Sequence, residues 1–191
     1  MFKLYLIVFS LYFASGPLPP KGFDFEDKTL QKELQKISGE DHATWKEIAV
    51  SEAILVSNPV QGKFLVFSDP GKIDQKKYIY VGRVNSCRQG GCSNPTETLS
   101  IQTPEYFDYL IVFDSGFSVQ QVKVYNYQAT HGQEVSNKGW LKQFQGYDGG
   151  RSLTVGKSID AISGATVSVY GITNDIQEKT RLLKKIVDGK N

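Results

Sequence analysis

Hydroxyl-bearing and small residues are concentrated near the C-terminus, in the segment "SIDAISGATVSVYG" (158–171). A helix is predicted to begin within Ser163–Thr166, and the first backbone N–H groups of a helix have no partner inside it. Together with the helix dipole, these groups favour an anion such as phosphate. Gly164 and Ala165 leave room for a bulky group to approach the backbone, and hydroxyls are supplied by Ser163, Thr166 and Ser168.

The same segment also fits an ordinary helix start. In that alternative, the side chain of Ser163 or Thr166 accepts hydrogen bonds from the free amides and no ligand is involved. Local residue types favour this simpler interpretation, so a bound phosphate would need support from other parts of the sequence.

Two cysteines form the other chemically reactive pair. Cys87 and Cys92 bracket four residues in "NSCRQGGCSNP". Three interpretations stay open: a structural disulfide, free thiols, or a working redox pair, and an oxidising compartment favours the disulfide. The spacing is longer than in thioredoxin-like pairs. No metal site is predicted, because two cysteines without further ligands fall short of the four that zinc requires.

The N-terminal residues 1–16 resemble an export signal. Lys3 is followed by an apolar run over Leu4–Phe13 and by small residues suited to cleavage. We therefore expect an exported, periplasmic or otherwise extracytoplasmic protein, with a flexible Pro- and Gly-rich lead-in over residues 17–25. The alternative is a buried N-terminal strand or helix.

Composition narrows the class of protein. The 191 residues suffice for one domain with a core, and a formal charge of +2 predicts no nucleic-acid partner. The sequence has no nucleophile–base–acid trio, metal-ligand cluster or nicotinamide-binding glycine fingerprint. We therefore do not expect a self-contained catalyst.

Hydrophobic periodicity predicts an α+β fold: a single domain in which an antiparallel sheet packs with helices, ending in a long helix. Residues 26–57 form its helical N-terminal part, with helices expected over 26–39 and 43–55. Strands are expected over four segments: 62–68, 76–84, 107–114 and 117–128. The last two form a hairpin, with a bulge in its second arm. A further short strand is expected over 153–162, and apolar spacing from Thr166 onward predicts the last helix.

The segment "DAISGAT" (160–166) resembles the flavinylation motif of FMN-binding domains. That motif is an Asp, two variable residues, Ser or Thr, Gly, Ala and Thr. The family includes the FMN-carrying extracytoplasmic subunits of the sodium-pumping NADH:quinone reductase and of Rnf-type electron-transport complexes. The resemblance implies that the Thr166 hydroxyl is esterified to the FMN phosphate, and the other motif positions are filled by Asp160, Ser163, Gly164 and Ala165.

The resemblance extends upstream of the motif and covers about residues 75–188. We expect this family-like core to belong to an FMN-binding domain over residues 26–191. The shared order is a strand, a turn, a second strand, a Thr-x-Gly loop, a Trp/Phe segment, the motif and a C-terminal helix. This chain has Ala129-Thr130-His131-Gly132 where the family usually has Glu-Thr-Pro-Gly. Trp140 and Phe144 are candidates to stack on the flavin or form a plain core pair, and Thr130 and Gly132 are candidate loop neighbours.

The function implied is that of an extracytoplasmic flavoprotein acting in electron transfer. One implied partner is a flavin transferase that takes the FMN group from FAD. The others are an electron donor and an electron acceptor, which the sequence does not identify and which could lie at the membrane. Two alternatives are non-covalent FMN binding and a secreted interaction or scaffold domain without cofactor.

Overall fold

The computed structural model describes residues 23–39, 45–51, 54, 60–67, 76–88 and 104–189. The predicted signal peptide, most of the predicted lead-in, Cys92 and the side chain of Cys87 lie outside the described residues. None of the described helices has the length and apolar character that a membrane span needs.

The described elements form an α+β fold. Helix α1 (Lys28–Ser38) precedes five strands and two further helices: β1 (Lys46–Glu47), β2 (Gly62–Phe67), β3 (Lys77–Arg88), β4 (Pro104–Phe113), β5 (Val119–Tyr127), α2 (Lys138–Leu141) and α3 (Thr166–Asp188). Short 3-10 turns cover Gln133–Ser136 and Lys142–Phe144. The strands pair antiparallel in chain order, β1-β2-β3-β4-β5, which confirms the predicted fold class.

Side chains alternate between the two faces of the sheet, and each face is covered by helix. Tyr80, Tyr109 and Ile111 lie in the larger core with the apolar stripe of α3. On the opposite face, Leu65, Ile79, Val81 and Leu110 pack with Leu30 and Leu34 of α1. Alternation of this kind follows from the two-residue period of a strand, and it leaves α3 fixed along the sheet.

Helix α1 begins and ends where its sequence predicts. The Asp27 side chain accepts hydrogen bonds from the amides of Thr29 and Leu30, and Gly39 takes a left-handed conformation at the C-terminus. The hairpin of β4 and β5 carries two register shifts, which confirms the predicted bulge.

Two predicted elements are wrong. Residues 46–47, expected within a helix over 43–55, form strand β1 against Leu65 and Val66, although Ile54 is helical. The edge of the sheet offers these backbone groups partners, which overrides a helical pattern. Residues 153–162 form a turn with one isolated bridge, Val155 to Ile159, rather than a strand.

Candidate functional site

The segment Asp160–Ala165 is held at its start by the α2 region. The indole Nε1 of Trp140 donates to the carbonyl of Asp160 at 2.9 Å. The amide of Asp160 in turn donates to Oε1 of Gln143 at 2.8 Å. These two bonds fix the backbone position from which the chain enters helix α3.

Helix α3 begins at Thr166 without a capping side chain. The residue at the cap position is Ala165, and no side chain in the described part of the chain hydrogen-bonds to this helix start. Gly164 precedes it with φ of +81°, a left-handed conformation that glycine adopts without steric cost. The expectation that Ser163 or Thr166 caps the helix is therefore wrong, and the amides of its first turn are open to an anion.

Exposure separates the three hydroxyls of the segment. Ser163 and Thr166 are exposed, whereas Ser168 is 2% exposed. The Oγ of Ser168 lies 2.9 Å from Oγ of Ser86 on β3 and 3.3 Å from the hydroxyl of Tyr127 on β5. Thr166 is accordingly open for modification, and Ser168 anchors the helix to the sheet.

The loop after β5 lies directly against the start of α3. The hydroxyl of Tyr127 donates to the carbonyl of His131 at 2.6 Å, which closes the loop. Gly132 has φ of +87°, and a Cβ added there would lie 2.8 Å from Oγ of Ser168 and 3.4 Å from Cα of Ala165. The close approach explains glycine at this position and brings the loop and the motif together.

Thr130 occupies the same loop, with its side chain committed to a buried carboxyl group. Its hydroxyl donates to Oε1 of Glu105, a residue only 6% exposed at the start of β4. Burial of a carboxyl group is costly unless a donor satisfies it. The side chain of Thr130 therefore ties the loop to the sheet, and a flavin contact for Thr130 or Gly132 stays a prediction.

Trp140 and Phe144 contact each other edge to face, with ring centroids 5.4 Å apart. Phe144 is fully buried and Trp140 is 9% exposed. Both belong to the core between the sheet and α3. This arrangement fits the plain core pair, and a stacking role on the flavin stays a prediction.

A second polar cluster lies deeper between α3 and the sheet. The hydroxyl of Tyr109 donates to Oδ2 of Asp175 at 2.5 Å, and Nζ of Lys179 lies 3.2 Å from the other carboxylate oxygen. Burial raises the pKa of Asp175, although Lys179 and the Tyr109 hydrogen bond act in the opposite direction. Burial, followed by the Asp175 charge, also raises the pKa of Tyr109.

A cleft of about 570 Å³ lies elsewhere, between Ile37 of α1 and the turn at Asp114 and Ser115. Phe113, at one end of β4, lines this cleft, whereas Glu105, at the other end, contacts the loop beside the motif. The length of β4 therefore places the cleft roughly 25 Å from the motif. It is lined by none of the predicted site residues, so we place the candidate site at the start of α3.

Residues 107–179, from β4 into α3, match the sequence model of the FMN-binding domain. This part of the chain is similar to FMN-binding domains. The matched span includes every predicted flavin-site residue, from Thr130 to Thr166, and indicates FMN as the cofactor. It is narrower than the predicted family-like core of 75–188. No curated protein and no solved structure matches the chain.

The residues present fit an FMN phosphate at the start of α3. The first-turn amides lack a capping side chain, and Gly164 of the motif is exposed, with no described atom within 4 Å of the place where a Cβ would lie. Sequence reasoning missed the supporting residues Ser86, Glu105 and Tyr127. They lie far from the motif in the chain, and no local pattern distinguishes them from ordinary strand residues.

Proposed function

We propose that this protein is an extracytoplasmic flavoprotein that carries FMN through a phosphoester on Thr166 and acts in electron transfer. One observation carries the proposal: Thr166 is an exposed hydroxyl residue on the first turn of a helix that no side chain caps in the described part of the chain. A phosphate esterified there would lie beside the free amides, and the helix dipole would stabilise its charge.

The attachment step is a phosphoryl transfer from FAD, assisted by a separate flavin transferase. A bond forms between Oγ of Thr166 and the phosphorus of the FMN half of FAD. The pyrophosphate P–O bond breaks, AMP leaves, and the hydroxyl proton passes to a base of the transferase. The product carries FMN less one water.

When bound, FMN supplies one- and two-electron redox chemistry, which belongs to the cofactor itself. The chain's own residues hold the phosphate and fix its position. Trp140 and Gln143 hold the entrance of the motif, and Ser168 fixes the first turn of α3 to β3 and β5. The tether would keep FMN on the protein outside the cytoplasm, where a dissociating cofactor would be lost.

Intact mass spectrometry tests the proposal. The full-length chain is co-expressed with an exported flavin transferase, and we expect the added mass of FMN less one water in the wild type and its loss in Thr166→Ala. Thr154→Ala removes another exposed threonine, outside the motif, and should keep the added mass. Retention of FMN in Thr166→Ala would contradict attachment at Thr166 and would direct attention to Ser163, since Ser168 is buried.

Non-covalent binding is a second candidate that the same uncapped helix start supports. In that case the phosphate is held by the amides alone. Acid or heat should then release yellow FMN, and no peptide with attached flavin should remain.

N-terminal sequencing of the mature protein tests export, because cleavage near residue 16 is expected.

A further inference from the structure

Two large hydrophobic side chains of α3 are exposed, and both lie beside Thr166. Val167 is 39% exposed and Tyr170 is 49% exposed, and no other large hydrophobic residue in the described part of the chain is as open. The buried residues of the same turns, Val169 and Ile172, point into the core. The exposed apolar surface of the helix is thus concentrated at the proposed attachment point.

Helix geometry brings Tyr170 close to Thr166. At 3.6 residues per turn, a residue four positions later lies about 40° around the helix and one turn along it. Side chains at i and i+4 are neighbours on the surface. An aromatic side chain on a helix also leans toward the N-terminus, so Tyr170 covers the turn that contains Thr166.

The predicted aromatic partners of the flavin are not open in the same way. Phe144 is fully buried and Trp140 is 9% exposed, since both pack against the core. A flat isoalloxazine ring on a flexible ribityl chain can stack on an accessible aromatic face near its tether. Among the described residues beside Thr166, Tyr170 provides one.

We propose that the phenol ring of Tyr170, with Val167 at its edge, stacks on the isoalloxazine ring of FMN tethered at Thr166. The inference rests on the proposed function and adds the surface on which the ring lies. Stacked aromatic pairs gain energy beyond the area they bury. Tyr170 would therefore limit the motion of a ring that is otherwise held only through its phosphate.

The test uses the full-length flavinylated protein and compares wild type, Tyr170→Ala and Tyr170→Phe. Flavin circular dichroism in the visible region and quenching of flavin fluorescence by iodide report the position and exposure of the ring. We expect Tyr170→Ala to raise the ratio of open to stacked flavin roughly two- to tenfold, with weaker dichroism and easier iodide quenching. Tyr170→Phe keeps an aromatic face and should keep both signals.

Asn174→Ala is the matched control, because Asn174 is exposed one turn further along the same side of α3. It should leave both signals unchanged. Unchanged signals in Tyr170→Ala, with the FMN mass present, would overturn the inference and leave the proposed function intact. Absence of the FMN mass from the wild type would instead contradict covalent attachment.

A second measurement uses the wild-type protein alone. A tyrosine in contact with flavin quenches its fluorescence, so tethered FMN should be dimmer than free FMN at equal concentration. Equal brightness would overturn the inference even if Tyr170→Ala were not flavinylated.

Discussion

Gly132 lies so close to Ser168 that a Cβ at position 132 would come within 2.8 Å of the Ser168 hydroxyl oxygen. The two residues belong to different parts of the chain, the loop after β5 and the first turn of α3. Ser168 is in turn held by Ser86 at 2.9 Å. These contacts join the loop, the helix start and strand β3 at the candidate site.

Gly132→Ala should therefore destabilise the protein and disturb the site. A left-handed conformation costs a non-glycine residue about 1–2 kcal/mol, and the clash with Ser168 adds to that cost. We expect a lower midpoint of urea unfolding and less FMN in the intact mass of protein produced with the transferase.

Gly156→Ala separates backbone strain from the clash. Gly156 has φ of +82°, but a Cβ there meets nothing within 4 Å. In Gly156→Ala the free energy of unfolding should fall only by the cost of the left-handed backbone, about 1–2 kcal/mol, and the variant should keep its FMN. Equal losses of stability in the two variants would show that the Gly132 contact contributes nothing.

Trp140→Phe should loosen the start of the motif. The substitution keeps an aromatic ring against Phe144 but removes the hydrogen bond from Nε1 to the Asp160 carbonyl. A typical net cost of such a bond is about 0.5–1.5 kcal/mol. Hydrogen exchange of the amides over 160–166 should become faster in this variant.

Trp45→Phe is the comparison for that change. Among the residues that the structure describes, no group hydrogen-bonds to the buried Nε1 atom of Trp45, and the ring contacts Phe67 with centroids 5.1 Å apart. The same substitution there removes no hydrogen bond within the described ranges. Exchange over 160–166 that rises equally in both variants would refute a specific role for the Trp140 bond.

Much of the fold was predictable because local patterns and tertiary packing agree. Helix α1 has an Asp cap, apolar residues at helical spacing and a terminal glycine, and its observed bounds follow these signals. The strands β3 to β5 are rich in β-branched and aromatic residues, which a pleated, buried surface favours. Thr166 as the start of α3 follows from the apolar stripe behind it.

The sequence-based predictions were wrong or incomplete where contacts between residues distant in the chain determine the structure. Strand β1 has two residues, and its pairing with Leu65 and Val66 leaves no periodic signal in the sequence. The site shows the same limit: the motif is visible locally, whereas its supports Ser86 and Tyr127 lie 82 and 41 residues away from Ser168. The absence of a cap at Thr166 was also hidden, since hydroxyl residues surround that position.

Lys179→Met should strongly destabilise the protein. Lys179 is 3% exposed and pairs with Asp175, whose side chain is 18% exposed, so its removal leaves a partly buried carboxylate without its cation. Loss of one partner of a buried pair costs about 3–5 kcal/mol. The double variant Asp175→Asn with Lys179→Met should recover part of this loss in urea unfolding. A double variant less stable than Lys179→Met alone would contradict the pairing.

The pH dependence of stability should carry a signature of Asp175. Burial raises its pKa in the folded state above the ordinary 3.8, against the effect of Lys179. The folded protein therefore binds a proton at a pH where the unfolded chain has released it. The stability contributed by this proton is fully present below the unfolded pKa and is lost as the pH rises through the folded pKa. Relative to Asp175→Asn, the wild type should gain free energy of unfolding as the pH falls from about 7 to about 4. Urea unfolding of both proteins across this range measures the difference, and a difference that is independent of pH would contradict the raised pKa.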